Sequence, residues 1–425
     1  MANDKPINER TLLAGCQLPD RSDTLFESSM KELAALTETA QGNPVMEVSQ
    51  KRERVHPATL FGKGKVEEIR NLIDEIEVDL VVVNHELSPS QMRNLTDALE
   101  VKVIDRTQLI LDIFAQRANS KEGKLQVELA QLEYLLPRLA GKGIQLSRLG
   151  GGIGTRGPGE TKLETDRRHI RNRINDIRTQ LKNVSSHRKR YRERRKLNQV
   201  HQIALVGYTN AGKSTWFNQL TEADSFQEDQ LFATLDPMTR KLKLPSGMMT
   251  LVTDTVGFIQ DLPTGLVAAF RSTLEEVSEA DLIVHMVDVS HSNRDKHIET
   301  VLRLLKELGA NEIPVLTVFN KKDRPHESVY PLYDAIEVSA HRNSDRIELL
   351  AAIESAVKAT MVPFNIKVGT ADGKLLSQLQ TLTILQKRQW DDTEEVYECE
   401  GYVHASLPIY DKIESMTTRG VQDSE

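Results

Sequence analysis

Residues 203–215 read IALVGYTNAGKST, and the rest of the chain is organised around them. An apolar run, Ile203 to Val206, leads straight into Gly207, and Gly212, Lys213 and Ser214 follow at the spacing G-x-x-x-x-G-K-S. That order reads as a strand, a tight loop and the start of a helix. A polyphosphate has to be wrapped by backbone N–H groups, and glycine lets the chain approach that closely. Lys213 is placed to reach the β- and γ-phosphates, and the Ser214 hydroxyl to hold Mg²⁺. The helix opening near Lys213 aims its positive end at the anion. A glycine-rich turn with an incidental lysine would have no need of the flanking strand and helix patterns. The loop Gly207, Tyr208, Thr209, Asn210, Ala211, Gly212, Lys213, Ser214 and Thr215 is therefore read as a phosphate cradle.

Three further stations follow in order. Asp254, Thr255, Val256 and Gly257 stand at a strand end about forty residues past the cradle. An Asp there holds the Mg²⁺ shell through water, and the Gly257 amide detects the γ-phosphate. A lone D-x-x-G is common in turns; its spacing from Lys213 is what gives it meaning. Asn320, Lys321, Lys322 and Asp323 follow the apolar run Ile313–Phe319. A carboxylate can accept from the ring N–H and exocyclic amine of guanine together, whereas adenine would leave it unpaired, so Asp323 specifies GTP and GDP. Ser339 and Ala340, after the last strand, fit a backbone contact to the base. Between cradle and D-x-x-G lies LFATLD: Leu231, then Phe232, Ala233, Thr234, Leu235 and Asp236 as nucleotide-proximal residues. A mobile Thr234 adds its hydroxyl to Mg²⁺ only when the γ-phosphate is present, which makes the segment a switch; the alternative is an ordinary loop threonine. The metal set is thus Ser214, Thr234 and, through water, Asp254. The catalytic set is Lys213, Thr234 and Gly257.

A length of 425 residues accommodates about three domains. The N-terminus, MANDKPINER, has no apolar stretch of secretory type, and no run reaches the ~18 residues that cross a bilayer. Cys16 and Cys399 share no metal-type spacing and read as two buried thiols. The expectation is a cytoplasmic protein without membrane insertion. Net charge is −7, which alone argues against a nucleic-acid partner. Its distribution argues the other way: Thr161 to Lys196 carries 14 Lys and Arg against 4 Asp and Glu, a local excess of ten.

Upstream of the cradle, Leu12 to Gly15, Val45 to Val48, Leu80 to Val83 and Val101 to Ile104 read as strands, with helical periodicity over 24–39, 65–76 and 88–99. That is a small α/β domain with a parallel sheet. Its LFGKGK stretch at 60–65 lacks the glycine spacing of a second cradle and reads as a strand-to-helix turn. Leu125, Leu129, Leu132 and Leu136, then Leu163, Ile170, Ile174, Ile177, Leu181 and Val184, form two heptad-like seams. They predict an antiparallel helical hairpin. Its loop, GKGIQLSRLGGGIGTRGPGETK at 141–162, has eight glycines, four basic residues and one acid. With the Arg-dense SSHRKRYRERRK at 185–196, it suits RNA phosphates; a solvated charged helix, an acidic protein or a membrane surface are the alternatives.

Downstream of the cradle, strand-like runs at 241–244, 249–252, 282–287, 313–319 and 335–338 alternate with helical patterns at 265–278, 293–309 and 344–360. In the C-terminal stretch we expect a strand at 364–368, a helix over 373–387, a strand over 396–407, an acidic loop at 391–395 and a loose tail after Ile413. The fold class is α/β: a doubly wound P-loop GTPase domain (201–360) preceded by an N-terminal α/β domain (1–115) and an antiparallel hairpin (116–200). A small α+β C-terminal unit follows (361–425).

With the cradle, Thr234, DTVG, NKKD and SA in this order, the chain resembles the translation-factor-related GTPases. HPATLFGKGK, GGGIGTRGPGETKLETDRR and GYTNAGKST together resemble the HflX family over residues 10–360. The resemblance implies a cytosolic GTPase that binds the large ribosomal subunit and its rRNA, with members that split stalled ribosomes under stress. It implies the glycine-rich loop against rRNA near the peptidyl transferase centre. Ser214 and Thr234 would lie on Mg²⁺, and an ATPase or helicase activity would belong to the N-terminal part. One position departs from the Ras-like pattern: Phe258 follows DTVG where many relatives carry a water-orienting Gln, so slow intrinsic hydrolysis stimulated by the ribosome is expected. The rival readings are an RNA-remodelling or RNA-modifying enzyme regulated by its GTPase domain, and a metabolic kinase, against which Asn320 and Asp323 argue. A monomer is expected, since the hairpin can bury its own seam.

Overall fold

The computed structural model describes residues 9–139, 158–198, 200–221, 231–232, 234–259, 276–326 and 335–422. Ala233, most of the glycine-rich stretch 141–162 and most of the helical pattern 265–278 lie outside the described residues. The chain divides into two compact units.

The first unit holds residues up to 186 and the segment 231–236. It contains β1 (Arg10–Gln17), α1 (Asp23–Thr39), β2 (Asn43–Lys51), α2 (Lys63–Ile76), β3 (Leu80–Val83), α3 (Pro89–Leu99), β4 (Lys102–Asp105) and α4 (Arg106–Arg117), followed by α5 (Lys121–Arg138) and the start of α6 (Pro158–Asn198). The four strands are all parallel in the order β2-β1-β3-β4. The expected strands and helices are present, and α4 is an addition that the sequence reading passed over. Its cause is local: Asp105 ends the last strand and its carboxylate caps the new helix by accepting from the Gln108 N–H at 2.9 Å. LFGKGK opens α2, with Gly62 as N-cap, as a strand-to-helix turn should.

Asp105 is fully buried and organises the helices around it. It also accepts from the Leu87 N–H at 2.9 Å and the Tyr134 hydroxyl at 2.8 Å, with Arg138 3.4 Å away. Tyr134 and Arg138 belong to α5, so one carboxylate fixes α5 against the sheet. In α6, Ile174 and Ile177 are buried, as the seam requires. Two exposed ion pairs join the helices, Arg173 with Glu128 at 2.7 Å and Arg178 with Glu133 at 2.8 Å. In α5, Leu125 of the seam is buried, together with Val127, Ala130 and Tyr134.

The second unit contains the cradle. Its six-stranded sheet runs β10-β9-β8-β5-β7-β6, from β5 (Gln202–Gly207), β6 (Met238–Lys243), β7 (Met249–Asp254), β8 (Leu282–Asp288), β9 (Val315–Asn320) and β10 (Ala335–Val338). Only β6 is antiparallel to its neighbour. The helices α7 (Lys213–Thr221), α8 (Arg294–Glu307) and α9 (Asn343–Lys358) flank it. A three-stranded antiparallel sheet follows, β11-β13-β12, built from β11 (Val362–Gly369), β12 (Ile384–Asp391) and β13 (Val396–Val403) with α10 (Gly373–Leu382) and α11 (Pro408–Gln422). Two expectations fail here. The helix predicted to 387 ends at Leu382, because Ile384, Leu385 and Trp390 take up strand pairing with β13. The tail expected to be loose after Ile413 continues as helix to Gln422. Ile384 and Tyr402 pack into the core of the six-stranded sheet. No helix among the described residues is long and apolar enough to cross a membrane.

Removing the Asp105 carboxylate should destabilise the first unit strongly. Asp105→Ala leaves buried N–H groups and Arg138 without their acceptor and should cost about 3 kcal/mol or more, whereas Tyr134→Phe should cost about 1 kcal/mol. Urea denaturation of the full chain, following the first unfolding transition, checks the ranking; equal losses would refute it.

Candidate nucleotide site

Five strand ends of one sheet converge on the site. Gly207, Asp254, Asp288, Asn320 and Ser339 lie at or just past the C-terminal ends of β5, β7, β8, β9 and β10, where a doubly wound sheet places its ligands. The register makes this concrete: Leu205 is opposite Asp254, Gly207 opposite Met286, and Asn320 opposite both Asp288 and Val338.

The cradle is shaped by its glycines. Gly212 adopts φ +93°, and a Cβ there would lie 2.1 Å from Asn320 Nδ2; at Gly207 it would lie 2.3 Å from the Met286 carbonyl. Asn210 also takes a left-handed φ of 60°. Asn320 fills the space beside Gly212 for a reason: its Nδ2 donates to the Ala211 carbonyl at 2.8 Å and its Oδ1 accepts from Trp216 Nε1 at 2.9 Å. The first residue of NKKD therefore laces the cradle to β9 and α7. Lys213 is 6 % exposed and donates from Nζ to the Gly207 and Tyr208 carbonyls at 3.2 and 2.9 Å. Burial pulls its pKa down to about 8, with the Asp254 charge opposing. Thr215 lies in the first turn of α7 and Val256 just past the end of β7, and the Thr255 hydroxyl turns away to the Leu205 carbonyl at 2.7 Å.

Ser214 Oγ donates to Asp254 Oδ2 at 2.8 Å. A hydroxyl and a buried carboxylate side by side, beneath a loop built to approach phosphate, form an oxygen donor set suited to a hard cation such as Mg²⁺. These residues fit the metal expected at the site. Phe258 is 4 % exposed and belongs to an apolar cluster with Val206, Val277 and Ile283. Its N–H donates to the Gly207 carbonyl at 3.1 Å and its carbonyl accepts from the Thr209 N–H at 2.7 Å.

At the base end, Asp323 accepts from the Ser339 hydroxyl, which holds its carboxyl below the ordinary carboxylate range and therefore ionised. The Lys321 ammonium pairs with Asp288 at 2.8 Å, and Lys322 with Asp345 at 2.9 Å. Asp345 also accepts from the Ser339 N–H at 2.8 Å. The Ala340 carbonyl is engaged by the Gln219 side chain of α7. Asp288, Asp345 and Trp216 are site residues that the sequence reading missed. Asp288 carried a signal, an acid ending an apolar strand, but Trp216 and Asp345 act through partners 104 and 6 residues away and carried none. Tyr208 is stacked on His297 of α8, with ring centroids 3.7 Å apart and planes 4° apart. Burial pushes that imidazole down to about 3, so it is neutral.

Thr234, Leu235 and Asp236 lie in the segment grouped with the first unit. There Asp236 accepts from the Asn119 and Ser120 N–H groups at 3.0 and 2.7 Å and from the Ser120 hydroxyl, at the N-terminus of α5. Phe232 meets Phe114 edge-on, with centroids 4.6 Å apart.

The chain matches three family descriptions in succession: "GTP-binding GTPase N-terminal" over residues 27–115, "GTP-binding GTPase Middle Region" over 117–195 and "50S ribosome-binding GTPase" over 202–321. It is 54 % identical over 407 residues to the GTPase HflX of Alkalihalophilus pseudofirmus, covering 95 % of this chain and 96 % of the relative. It is 41 % identical over 390 residues to the GTPase HflX of Escherichia coli, covering 90 % of each. Among solved structures, a GTP-binding protein from Sulfolobus solfataricus in complex with GDP is similar at 22 % identity and a TM-score of 0.45, over 82 % of this chain and 99 % of that one.

The depressed Lys213 gives binding a pH signature. Phosphates return the ammonium to its charged form, so binding takes up a proton above the free-state value of about 8. GDP affinity should be flat below about pH 8 and fall by up to about tenfold per pH unit above it. Titration calorimetry at pH 9 in two buffers of different ionisation enthalpy should show proton uptake approaching one; none would refute the assignment.

Proposed function

This chain belongs to the HflX family of GTPases, and we propose that it is a GTP-hydrolysing switch that binds the large ribosomal subunit in a nucleotide-dependent way. In this reading it dissociates or rescues stalled ribosomes under stress in the cytoplasm, acting as a monomer. The observation that carries the nucleotide half is the Asn320 lacing together with the ionised Asp323: the cradle and the guanine-reading carboxylate are parts of one hydrogen-bonded frame. The ribosomal half is supported by the matched description over 202–321 and by the excess of ten positive charges between Thr161 and Lys196.

Water attacks the γ-phosphate in line. Lys213, the Gly257 amide and the cradle N–H groups hold the charge that develops on the phosphate oxygens. Ser214, with Asp254 through water and Thr234 in the triphosphate state, would hold Mg²⁺, which would supply a Lewis acid to the phosphates. Phe258 is locked into the core and cannot orient the water, which supports slow intrinsic turnover and stimulation by the ribosome. The Asp236 anchor on α5 suggests how nucleotide state reaches the RNA-binding element: the segment that carries Thr234 also caps the helix that leads to the glycine-rich loop.

Exchanging the acceptor for a mixed donor and acceptor at the base should change its identity. Asp323→Asn should lower GDP affinity by about 10²-fold or more and favour xanthosine diphosphate, whose ring offers a carbonyl where guanine has an amine. Competition binding with labelled nucleotides reads this directly; undiminished GDP affinity would exclude Asp323 as the base reader.

Sedimentation with separated ribosomal subunits tests the switch. The full chain should follow the large subunit with a non-hydrolysable GTP analogue and not with GDP, and deletion of 141–162 should abolish that association. Binding that ignores both nucleotide and deletion would favour the alternative, an RNA-remodelling or RNA-modifying enzyme merely regulated by its GTPase domain.

A further inference from the structure

At the γ-phosphate end of the cradle the position that could orient a water is occupied by Phe258, and the structure gives that side chain no route out. Both its backbone groups are hydrogen-bonded to the cradle strand, and its ring is part of the core beneath β5 and β8. The polar side chains around it are committed. Lys213 Nζ donates to two cradle carbonyls, Ser214 Oγ to Asp254, and Thr255 Oγ1 to Leu205. Two differ: Thr209 and His285 are buried, and Thr209 Oγ1 and His285 Nδ1 have no hydrogen-bond partner among the described residues; of the two, Thr209 lies against Gly257.

Its location is informative. A Cβ built on Gly257 would lie 2.9 Å from Thr209 Cγ2, 3.0 Å from its Cα and 3.1 Å from Lys213 Nζ. Thr209, the γ-phosphate-sensing glycine and the phosphate lysine therefore meet at one point. The Thr209 N–H is spent on the Phe258 carbonyl at 2.7 Å, which ties the residue to the very segment whose side chain is retracted. A buried hydroxyl without a partner is unfavourable in a folded protein and calls for an occupant that can bond to it.

We propose that the Thr209 hydroxyl is a catalytic group that holds the attacking water, the role that Phe258 leaves unfilled. The assignment rests on the reading of the cradle as a GTP-hydrolysing site. In the step, the water oxygen forms a bond to the γ-phosphorus while the bond from that phosphorus to the β–γ bridging oxygen breaks. The bonding pair stays on the bridging oxygen, which leaves with GDP, and the water proton ends on the released phosphate. Thr209 Oγ1 accepts a hydrogen bond from the water and donates one to a γ-phosphate oxygen while keeping its proton, so it is neither consumed nor charged. A hydroxyl positions water without acting as a base, which matches a slow basal rate.

The test uses the full chain with Thr209→Val, which keeps the shape and removes the hydroxyl, and Thr209→Ser, which restores it. Single-turnover hydrolysis of GTP with enzyme in excess gives the rate, and equilibrium binding gives affinities for GDP and for GDP with aluminium fluoride, a mimic of the transferring phosphoryl group. For Thr209→Val we expect a fall in rate of about 10- to 100-fold and a comparable loss of the aluminium fluoride enhancement, with GDP affinity within about twofold. Thr209→Ser should recover most of both. A Thr209→Val variant that turns over at the wild-type rate, or one that loses GDP affinity in step with rate, overturns the proposal. If the wild-type chain binds GDP but never cleaves GTP, the underlying reading falls, and the proposal with it; the wild-type arm keeps the two failures apart.

Discussion

The side chain of Asn320 makes two hydrogen bonds, to the Ala211 carbonyl and to Trp216 Nε1, and the nucleotide unit depends on both. The cradle must leave N–H groups for an anion, so apart from the Thr209 and Ala211 N–H groups, which bond to the Phe258 and Tyr208 carbonyls, it has few backbone bonds to hold its shape. An amide reaching over from β9 supplies what the loop lacks: a donor for a carbonyl and an acceptor for the helix that follows. It also explains why position 212 must be glycine, since the amide occupies the space a side chain would need. The same residue begins the segment that ends in Asp323. The proposed base reader and the cradle are therefore tied to one strand end.

Around that frame the charges are sorted by partner. Lys321 and Lys322, read from the sequence as part of the nucleotide station, are anchored by Asp288 and Asp345. The Asp345 carboxylate also takes the Ser339 N–H, and the Ser339 hydroxyl in turn donates to Asp323. The Asp323 carboxylate is held ionised chiefly by the neutral Ser339 hydroxyl, with the Arg324 charge acting in the same direction.

In the first unit a second buried carboxylate plays an analogous part. Asp105 caps α4 and accepts from α5 through Tyr134, so the helix leading toward the glycine-rich loop is tied to the parallel sheet. The opposite end of α5 is capped by Asp236, from a stretch of chain flanked on both sides by the second unit. An acid at a helix N-terminus satisfies orphan N–H groups and complements the helix dipole, which is a strong bond for a segment expected to respond to a γ-phosphate.

The glycine spacing, D-x-x-G and NKKD can be read from the sequence because each pattern corresponds to chemistry expected between chain neighbours and a ligand: backbone approach, a metal-side acid, a two-point base contact. The parallel strands of the first sheet and most of the second were legible for a similar reason, since a buried strand shows itself as a short apolar run. What the sequence could not carry were relations between distant residues. The end of the last predicted helix at Leu382 was decided by strand pairing with β13, the capping of α5 by an acid 116 residues away, and the retraction of Phe258 by the core that receives its ring. Local chemistry determined which ligand this protein is built for. Only tertiary packing decided which side chains are free to act on it, because a hydrogen bond or a buried ring depends on neighbours that the order of residues does not name.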